Sequence, residues 1–534
     1  MKARTLRVFT LVHTWTGLIC GLALFIAFYA GALTMFYGAI ERWSQPELRR
    51  PAAVSVDTLD ALVRDASTRF AEDTHERLFL HLPSHDHPRP FVEWREGVGR
   101  GATAWMLFEP GAQPVDRDRS AHTRLADFVN ELHFTLGLPV QFGRYLLGFI
   151  CVLYGLALVS GLIIHAPVLV KDLFALRVGP NLKRLWQDAH NVIGVLSLPF
   201  HLMFALTSAL FAINFLPVLG INFLVLDGQI QTFAERHSAL LPPRPEQGAA
   251  ASQQSLPALL DEVRRAAPEM QPSFIVFEHY GDASAQVSVR GPVAGSLLNE
   301  ALVVLDGVSG EVLAVDTPAH SRPTQIAVNA VQSLHVGAFG GELVRGLYAL
   351  LGLAGAWLFY SGNLLWIESR RRRRAPAQPR HHRLLAQVTV GVALGCIGGI
   401  AAAFLANAAL PDTLPLRALW ETRVYFLVFF GMLAWALLRP PARAAVELLL
   451  LAAALHLAVP FANWLATGDH PLRAAQDGLW AVLGIDLAAI VLGLVALAFA
   501  RVTARRARSG PRESVWSLPA SDRSESRIGT AVGD

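Results

Sequence analysis

Four histidines in this chain stand at the mouths of long apolar runs, and their surroundings repeat. Leu132-His133 precedes Gly143-Arg144-Tyr145-Leu146-Leu147-Gly148; about two hundred residues later, Leu334-His335 precedes Arg345-Gly346-Leu347-Tyr348-Ala349-Leu350. Each copy has an earlier partner, His13 and His190, at the start of another apolar run. Ionisable side chains in or beside membrane spans are costly, and those that persist are usually functional. Two imidazoles facing each other across apolar helices can ligate the iron of a haem, in walls that exclude water and set its potential. A lone interfacial histidine serves more often as an anchor or a hydrogen-bonding group. Four in matching positions of two copies, near both faces of a bilayer, suit electron transfer across it.

The elements that must position these residues are membrane helices. Of 534 residues, 53% are apolar, and for a chain of this length that means several spans rather than one oversized core. A bilayer core of about 30 Å needs roughly 20 apolar residues in a helix. Eight segments qualify: Val8 to Tyr37, Phe142 to His165, Val192 to Phe215, Leu343 to Ile367, Leu384 to Leu410, Val424 to Leu438, Ala444 to Leu465 and Leu479 to Ala500. The sixth is the shortest. Lys and Arg collect on the cytoplasmic side of such proteins. Here they precede the first span (Lys2, Arg4, Arg7), join the second to the third (Lys171, Arg177, Lys183, Arg184), and follow the fourth (Arg370 to Arg374) and the eighth (Arg501, Arg505, Arg506, Arg508). Both termini are then expected in the cytoplasm. The first apolar run is too long for a removable signal peptide and lacks a small-residue cleavage site.

Two larger segments, 44–141 and 217–342, are left for the other side, and both carry a small α+β pattern. In the first, Leu59, Leu62, Val63 and Phe70 recur at helical spacing ahead of strand-like Arg77 to Leu82, Phe91 to Glu96 and Ala104 to Glu109. The second repeats the order, with Leu259, Leu260 and Val263 ahead of Ser273 to Tyr280, Gln286 to Arg290, and Leu302 to Val315 broken by the turn Asp306-Gly307-Val308-Ser309-Gly310. The expected organisation is a first span over 1–43, an external domain over 44–141, spans two and three over 142–216, a second external domain over 217–342 and a fourth span over 343–368. A basic linker follows over 369–383, then four further spans over 384–501 and a disordered cytoplasmic tail over 502–534. The fold class is a polytopic α-helical membrane protein of about eight spans with two small α+β domains, its first four spans and both domains forming a tandem duplication.

The chain resembles the PepSY-associated membrane helix proteins, whose members include inner-membrane ferric-siderophore reductases and iron-uptake factors. The resemblance rests on His13-Thr14-Trp15-Thr16-Gly17-Leu18, on Leu132-His133 with Gly143-Arg144, on Asp188-Ala189-His190-Asn191-Val192-Ile193-Gly194, and on Leu334-His335-Val336-Gly337 with Gly340-Gly341 and Arg345-Gly346. It covers roughly the first 370 residues. It implies an inner bacterial membrane, two PepSY-like domains in the periplasm that contact a substrate or partner, and a ferric siderophore or other ferric chelate as that substrate. It names no catalytic residue and attaches no activity to the last four spans.

Spans one and three run in the same direction, so a pseudo-twofold axis along the membrane normal would relate the halves. It places His13 opposite His190 towards the cytoplasm and His133 opposite His335 towards the periplasm, two positions for haem b. Gly17, Gly194, Gly137 and Gly337 would let a flat macrocycle approach the backbone, or else merely let helices pack closely. His201 follows His190 by eleven residues, which on one continuous helix puts it on nearly the same face about 16 Å deeper. His165 ends the second span and could replace His13 as the partner of His190. Both are held as reserve ligands.

Other chemistry is thinner. His81, His85 and His87, with His75 and Asp86 nearby, could form an imidazole and carboxylate metal site, although no ligand spacing is clean and 84–90 reads as an exposed loop. Cys20, Cys151 and Cys396 all fall inside spans, too scattered for an iron-sulfur cluster. No dinucleotide fingerprint follows a strand and no P-loop is present, so electrons must come from a quinol, a reduced flavin or a separate cytoplasmic reductase. His456 and Asp486 could meet as a proton path or as a helix-joining pair. The basic runs read as topology signals in a lipid bilayer rather than a nucleic-acid surface. The expected function is a haem-bearing membrane reductase of ferric chelates; the alternatives are a non-catalytic protein that binds or regulates a periplasmic partner, and a metal or siderophore transporter.

Overall fold

A computed structural model of the chain describes residues 3–50, 54–83, 89–96, 103–116, 123–168, 181–224, 241–293, 296, 300–318, 323–337, 339–372, 378–511 and 513–518. In chain order, α1 (Ala3–Thr34) and α2 (Tyr37–Ser44) lead to α3 (Val56–Arg69), α4 (Ala71–Thr74), β1 (Arg77–His81), β2 (Phe91–Glu96), β3 (Thr103–Leu107) and β4 (Val115–Asp116). Next come α5 (Leu125–Thr135), α6 (Val140–His165), α7 (Leu182–Leu196) and α8 (Leu198–Leu224). The pattern returns with α9 (Leu256–Ala266), β5 (Phe274–Glu278), β6 (Gln286–Pro292), β7 (Glu300–Asp306), β8 (Val312–Asp316), α10 (Pro323–Val336) and α11 (Gly341–Ser369). The remainder is helical: α12 (Arg380–Ala409), α13 (Arg417–Leu438), α14 (Pro441–Thr467), α15 (Pro471–Gln476) and α16 (Trp480–Ser509). The chain divides into two compact units, one of Met1–Pro46, Thr123–Ala212 and Gly346–Asp534, the other of Glu47–His122 and Ile213–Arg345.

Seven helices among the described residues are long and apolar enough to cross a membrane: α1, α6, α11, α12, α13, α14 and α16. The chain is a multi-pass membrane protein. The expected third span is not one straight helix. It breaks at Ser197 into α7 and α8, bent by 69°. Pro199 supplies the cause: it has no N–H to give the preceding turn, and its ring disfavours helical backbone at the residue before it. Ser197 absorbs the break by turning its hydroxyl to Ile193 O. The short sixth span begins earlier than hydropathy alone suggests, at Arg417, because the guanidinium is paired within the helix to Glu421. Helical order also continues past 502, to Ser509, and Ser514 is buried with its hydroxyl on Glu368.

In the membrane unit α1 packs between α5 and α6, and α12 lies deepest among the later helices. One continuous core joins the two groups: Phe25, Tyr29, Ile40 and Trp43 meet Phe128, Val129 and Leu132 of α5 and Cys396, Ile400, Phe404, Tyr425 and Phe429 of α12 and α13. Cys20, Cys151 and Cys396 are buried and free, as their places in spans implied.

In the other unit the two α+β patterns are real, but they do not make separate domains. Helices α3 and α9 each start on a serine cap, Ser55 accepting from Thr58 N and Ser255 from Ala258 N, which satisfies one otherwise orphaned N–H at each start. Each buries one stripe, Leu59, Leu62, Val63 and Ala66 in α3, and Leu256, Leu259, Leu260 and Val263 in α9. The strands join one eight-stranded antiparallel sheet in the order β4-β3-β2-β1-β5-β6-β7-β8. The seam is β1 on β5, with Arg77 opposite Glu278, Phe79 opposite Val276 and His81 opposite Phe274. Strand pairing across the seam removes two exposed edges that separate small sheets would have had to protect. A single core lies under the whole sheet, with Leu78, Leu80, Val92, Trp94 and Leu107 from one half and Ile275, Phe277, Val287, Val289 and Val303 from the other.

Candidate functional site

His13 lies on α1, and its Nδ1 is 2.8 Å from Ala157 O of α6. A carbonyl can only accept, so Nδ1 carries the proton and, in the neutral ring, Nε2 keeps a free lone pair. The carbonyl of residue n in a helix already receives the N–H of residue n+4, and a side chain at n+4 would crowd its second lone pair. Here n+4 is Gly161, and a Cβ built on it would lie 2.9 Å from His13 Cε1 and 3.0 Å from Nδ1. The imidazole occupies the space that glycine leaves.

The same device recurs twice. His133, in the last turn of α5, gives Nδ1–H to Ala27 O at 2.8 Å, and residue n+4 is Gly31, whose Cβ would fall 2.6 Å from Nδ1. His190, on α7, is 3.1 Å from Leu358 O of α11 and 3.3 Å from Ser361 Oγ, and n+4 is Gly362, whose Cβ would fall 3.3 Å from Cε1. Three helices thus present histidines oriented by main-chain carbonyls through Nδ1. Ligand histidines are commonly held in this way, by a carbonyl or carboxylate that accepts the proton of the nitrogen facing away from the metal.

His13 and His190 come together. Their ring centres are 6.2 Å apart with planes at 76°, and they line a cleft of about 530 Å³, counted with the open space at its mouth, together with Gly161, His165, Gly194 and Leu358. Two imidazoles on opposite sides of one metal ion, each bound at about 2 Å, hold their ring centres roughly 6 Å apart. The ring spacing therefore fits a bis-imidazole cofactor.

Both reserve histidines are close to this arrangement. His165 lines the cleft, and its buried Nε2 has no hydrogen-bond partner among the described residues. His201 is fully buried; its Nδ1 meets Tyr154 OH at 2.6 Å, while Nε2 is likewise without a partner among the described residues. Phe28, Phe200 and Phe359 surround the ring. The depth expected for His201 on one straight helix does not hold, because the break at Ser197 lies between it and His190. His335 closes α10 in the other unit and is half-buried.

Of the glycines expected to admit a macrocycle, only Gly194 lines this cleft. Gly17 has nothing within 4 Å of where a Cβ would stand, Gly194 faces only Leu358 Cδ1, and Gly137 and Gly337, with φ of +72° and +69°, follow the ends of α5 and α10. The glycines beside the imidazoles of His13, His133 and His190 are Gly161, Gly31 and Gly362, and Gly355 lies beside that of His201. A sequence signal for two of them exists, since Ala27-x-x-x-Gly31 and Ala157-x-x-x-Gly161 are small-x-x-x-small pairs of the kind that allow close approach in membranes.

Elsewhere, His81 stacks on Phe91 at 4.2 Å and places Nε2 3.3 Å from Glu93 Oε2. His85 and His87 lie outside the described residues, among which no cluster of three metal-ligating side chains occurs. Asp486 accepts Trp43 Nε1 at 2.9 Å and Asn463 Nδ2 at 3.1 Å, tying α2, α14 and α16 together, while His456 turns Nδ1 to Ala452 O of its own helix.

The family described as the PepSY-associated TM region matches residues 10–369. An uncharacterized protein of Pseudomonas aeruginosa is 28% identical over 404 residues, which span 71% of this chain and 95% of that relative. The chain belongs to the PepSY-associated TM family, and residues beyond 369 lie outside the match.

Proposed function

We propose that this member of the PepSY-associated TM family is a haem-bearing reductase of the bacterial inner membrane, with both termini in the cytoplasm, which reduces a ferric siderophore or other ferric chelate in the periplasm. The observation that carries the reading is the repeated histidine device: His13, His133 and His190 each donate Nδ1–H to a main-chain carbonyl over a glycine, and two of the three face each other at 6.2 Å.

Haem b bound there would supply one-electron transfer at low reorganisation cost. His13 and His190 would hold one group, and His133, seated on Ala27 O, would offer a ligand to a second. The carbonyl bond on each Nδ1 fixes the ring against rotation and raises the basicity of Nε2, which strengthens its hold on iron. The apolar walls exclude water. The ferric ion of the chelate is the substrate: it gains one electron, becomes ferrous, and is then held less tightly by oxygen donors chosen for the harder ion. Electrons would enter from a quinol, a reduced flavin or a cytoplasmic reductase.

We also read the palindromic strand order as a tandem duplication. Antiparallel pairing of β1 with β5 is the pairing a twofold axis through the seam would produce, and each half contributes one serine-capped helix and four strands.

The test is a visible spectrum of the detergent-purified protein, oxidised and then reduced with dithionite, with a haemochrome count. Low-spin b-type bands at about two haems per chain are expected. A folded, colourless protein from haem-replete cells would refute the reading and leave a binding or transport role.

A further inference from the structure

The four spans beyond the family match have a place in this scheme through α5, the short helix that carries His133. Glu421, near the start of α13 and buried, takes Thr123 Oγ1–H at 2.7 Å and Arg124 N–H at 3.3 Å, at the start of α5. Thr123 Oγ1 in turn accepts Leu125 N–H at 3.1 Å, and Asn407 Nδ2 of α12 bonds both Thr123 Oγ1 at 3.0 Å and Glu421 Oε1 at 2.9 Å. Arg417 completes the node, pairing with Glu421 Oε1 at 2.8 Å and with the carbonyl of Asn407. A carboxylate at a helix start also satisfies N–H groups left without helical partners and complements the helix dipole.

The grip continues down the helix. Phe128 packs edge-on against Tyr425 and Phe426 of α13, with ring centres 5.0 and 5.9 Å apart. Beyond the end of α5, a Cβ on Gly137 would lie 2.9 Å from Phe426. On its other side α5 meets α1, where His133 reaches Ala27 O. The helix therefore packs mainly on α1, α6 and α2, and is tied at its start to α12 and α13. A buried polar network is costly unless every member finds a partner, and the buried groups of this node bond one another at the ends of α12, α13 and α5.

We propose that α12 and α13, the first two of the last four spans, position His133, with the Arg417–Glu421–Asn407–Thr123 node seating α5 so that its imidazole keeps the orientation set by Ala27 O. The redox consequence rests on the haem reading above. Thr123→Val is the discriminating variant, because it keeps the shape, removes the hydroxyl that links Glu421 to α5, and leaves the Arg417–Glu421 pair intact.

The measurement is a redox titration of the full-length protein in detergent, with His133→Ala and His13→Ala identifying each haem, and hydrogen exchange of residues 125–135. Thr123→Val is expected to speed α5 exchange and to shift the midpoint and low-spin signature of the His133 haem. The His13 haem is expected to stay at its wild-type midpoint, and Thr123→Ser to restore both readouts. Unchanged exchange, or faster exchange with an unmoved His133 midpoint, overturns the positioning role while leaving the haem reading standing. A haem-free wild type overturns the reading of function, and this role with it.

Discussion

Gly161→Ala is the sharpest perturbation of the site. In an exposed helix it would be mildly favourable, by about 1 kcal/mol from propensity. Here the new methyl would stand 2.9 Å from His13 Cε1 and 3.0 Å from Nδ1, closer than carbon and nitrogen atoms sit in packed interiors, so the imidazole must move. Moving it gives up the 2.8 Å bond to Ala157 O, worth about 1 kcal/mol, and adds overpacking of about 1–3 kcal/mol. After the propensity gain, the His13 geometry loses about 2 kcal/mol, which is roughly thirtyfold in ligand affinity. The assay is a haem titration of the purified apoprotein, followed by the soret shift, with Gly17→Ala in parallel. No atom lies within 4 Å of the Gly17 Cβ position, so that variant should bind haem as wild type does and unfold at a slightly higher temperature. Equal haem affinity in Gly161→Ala and Gly17→Ala would show that the carbonyl-and-glycine seat does not hold the ligand, and the reasoning behind the site would fall.

Other outcomes follow from the same structure. His13→Ala and His190→Ala should abolish the same haem, and His133→Ala should leave that haem in place; any other pattern in difference spectra and midpoint titration would break the assignment. Trp43→Phe removes the indole donor that Asp486 accepts at 2.9 Å inside the bundle, and should cost about 1–3 kcal/mol, read as a lower unfolding midpoint in detergent. Asp282 accepts the hydroxyl and N–H of Ser284 and the N–H groups of Gln247 and Ala249, which hold its carboxyl down to about 2. A depressed carboxyl contributes stability above its unfolded value near 4 and loses it as pH falls towards 2. The sheet-containing unit should therefore weaken over that window, and Asp282→Asn should flatten the loss when unfolding is followed by circular dichroism.

The sequence by itself determined the membrane class, nearly every strand, and the histidines worth asking about. Hydropathy over about 20 residues and alternation over five or six are local properties, and β2 (Phe91–Glu96) falls where alternation put it. What chain-local patterns cannot carry is which element meets which. The two α+β patterns read as two domains because nothing in either announces that β1 will pair with β5 across nearly two hundred residues. The glycines that seat the histidines are hidden for the same reason: Gly161 serves His13 from another helix, and only packing reveals that its missing side chain is the space an imidazole needs. Hydropathy ran straight through Ser197, since a proline bend leaves the apolar content of a span unchanged while redirecting its far half. The spans beyond the family match were legible as spans and silent as to purpose. The role proposed for two of them rests on Glu421 and Asn407 meeting Thr123, almost three hundred residues away in the chain and 2.7 and 3.0 Å away in the fold.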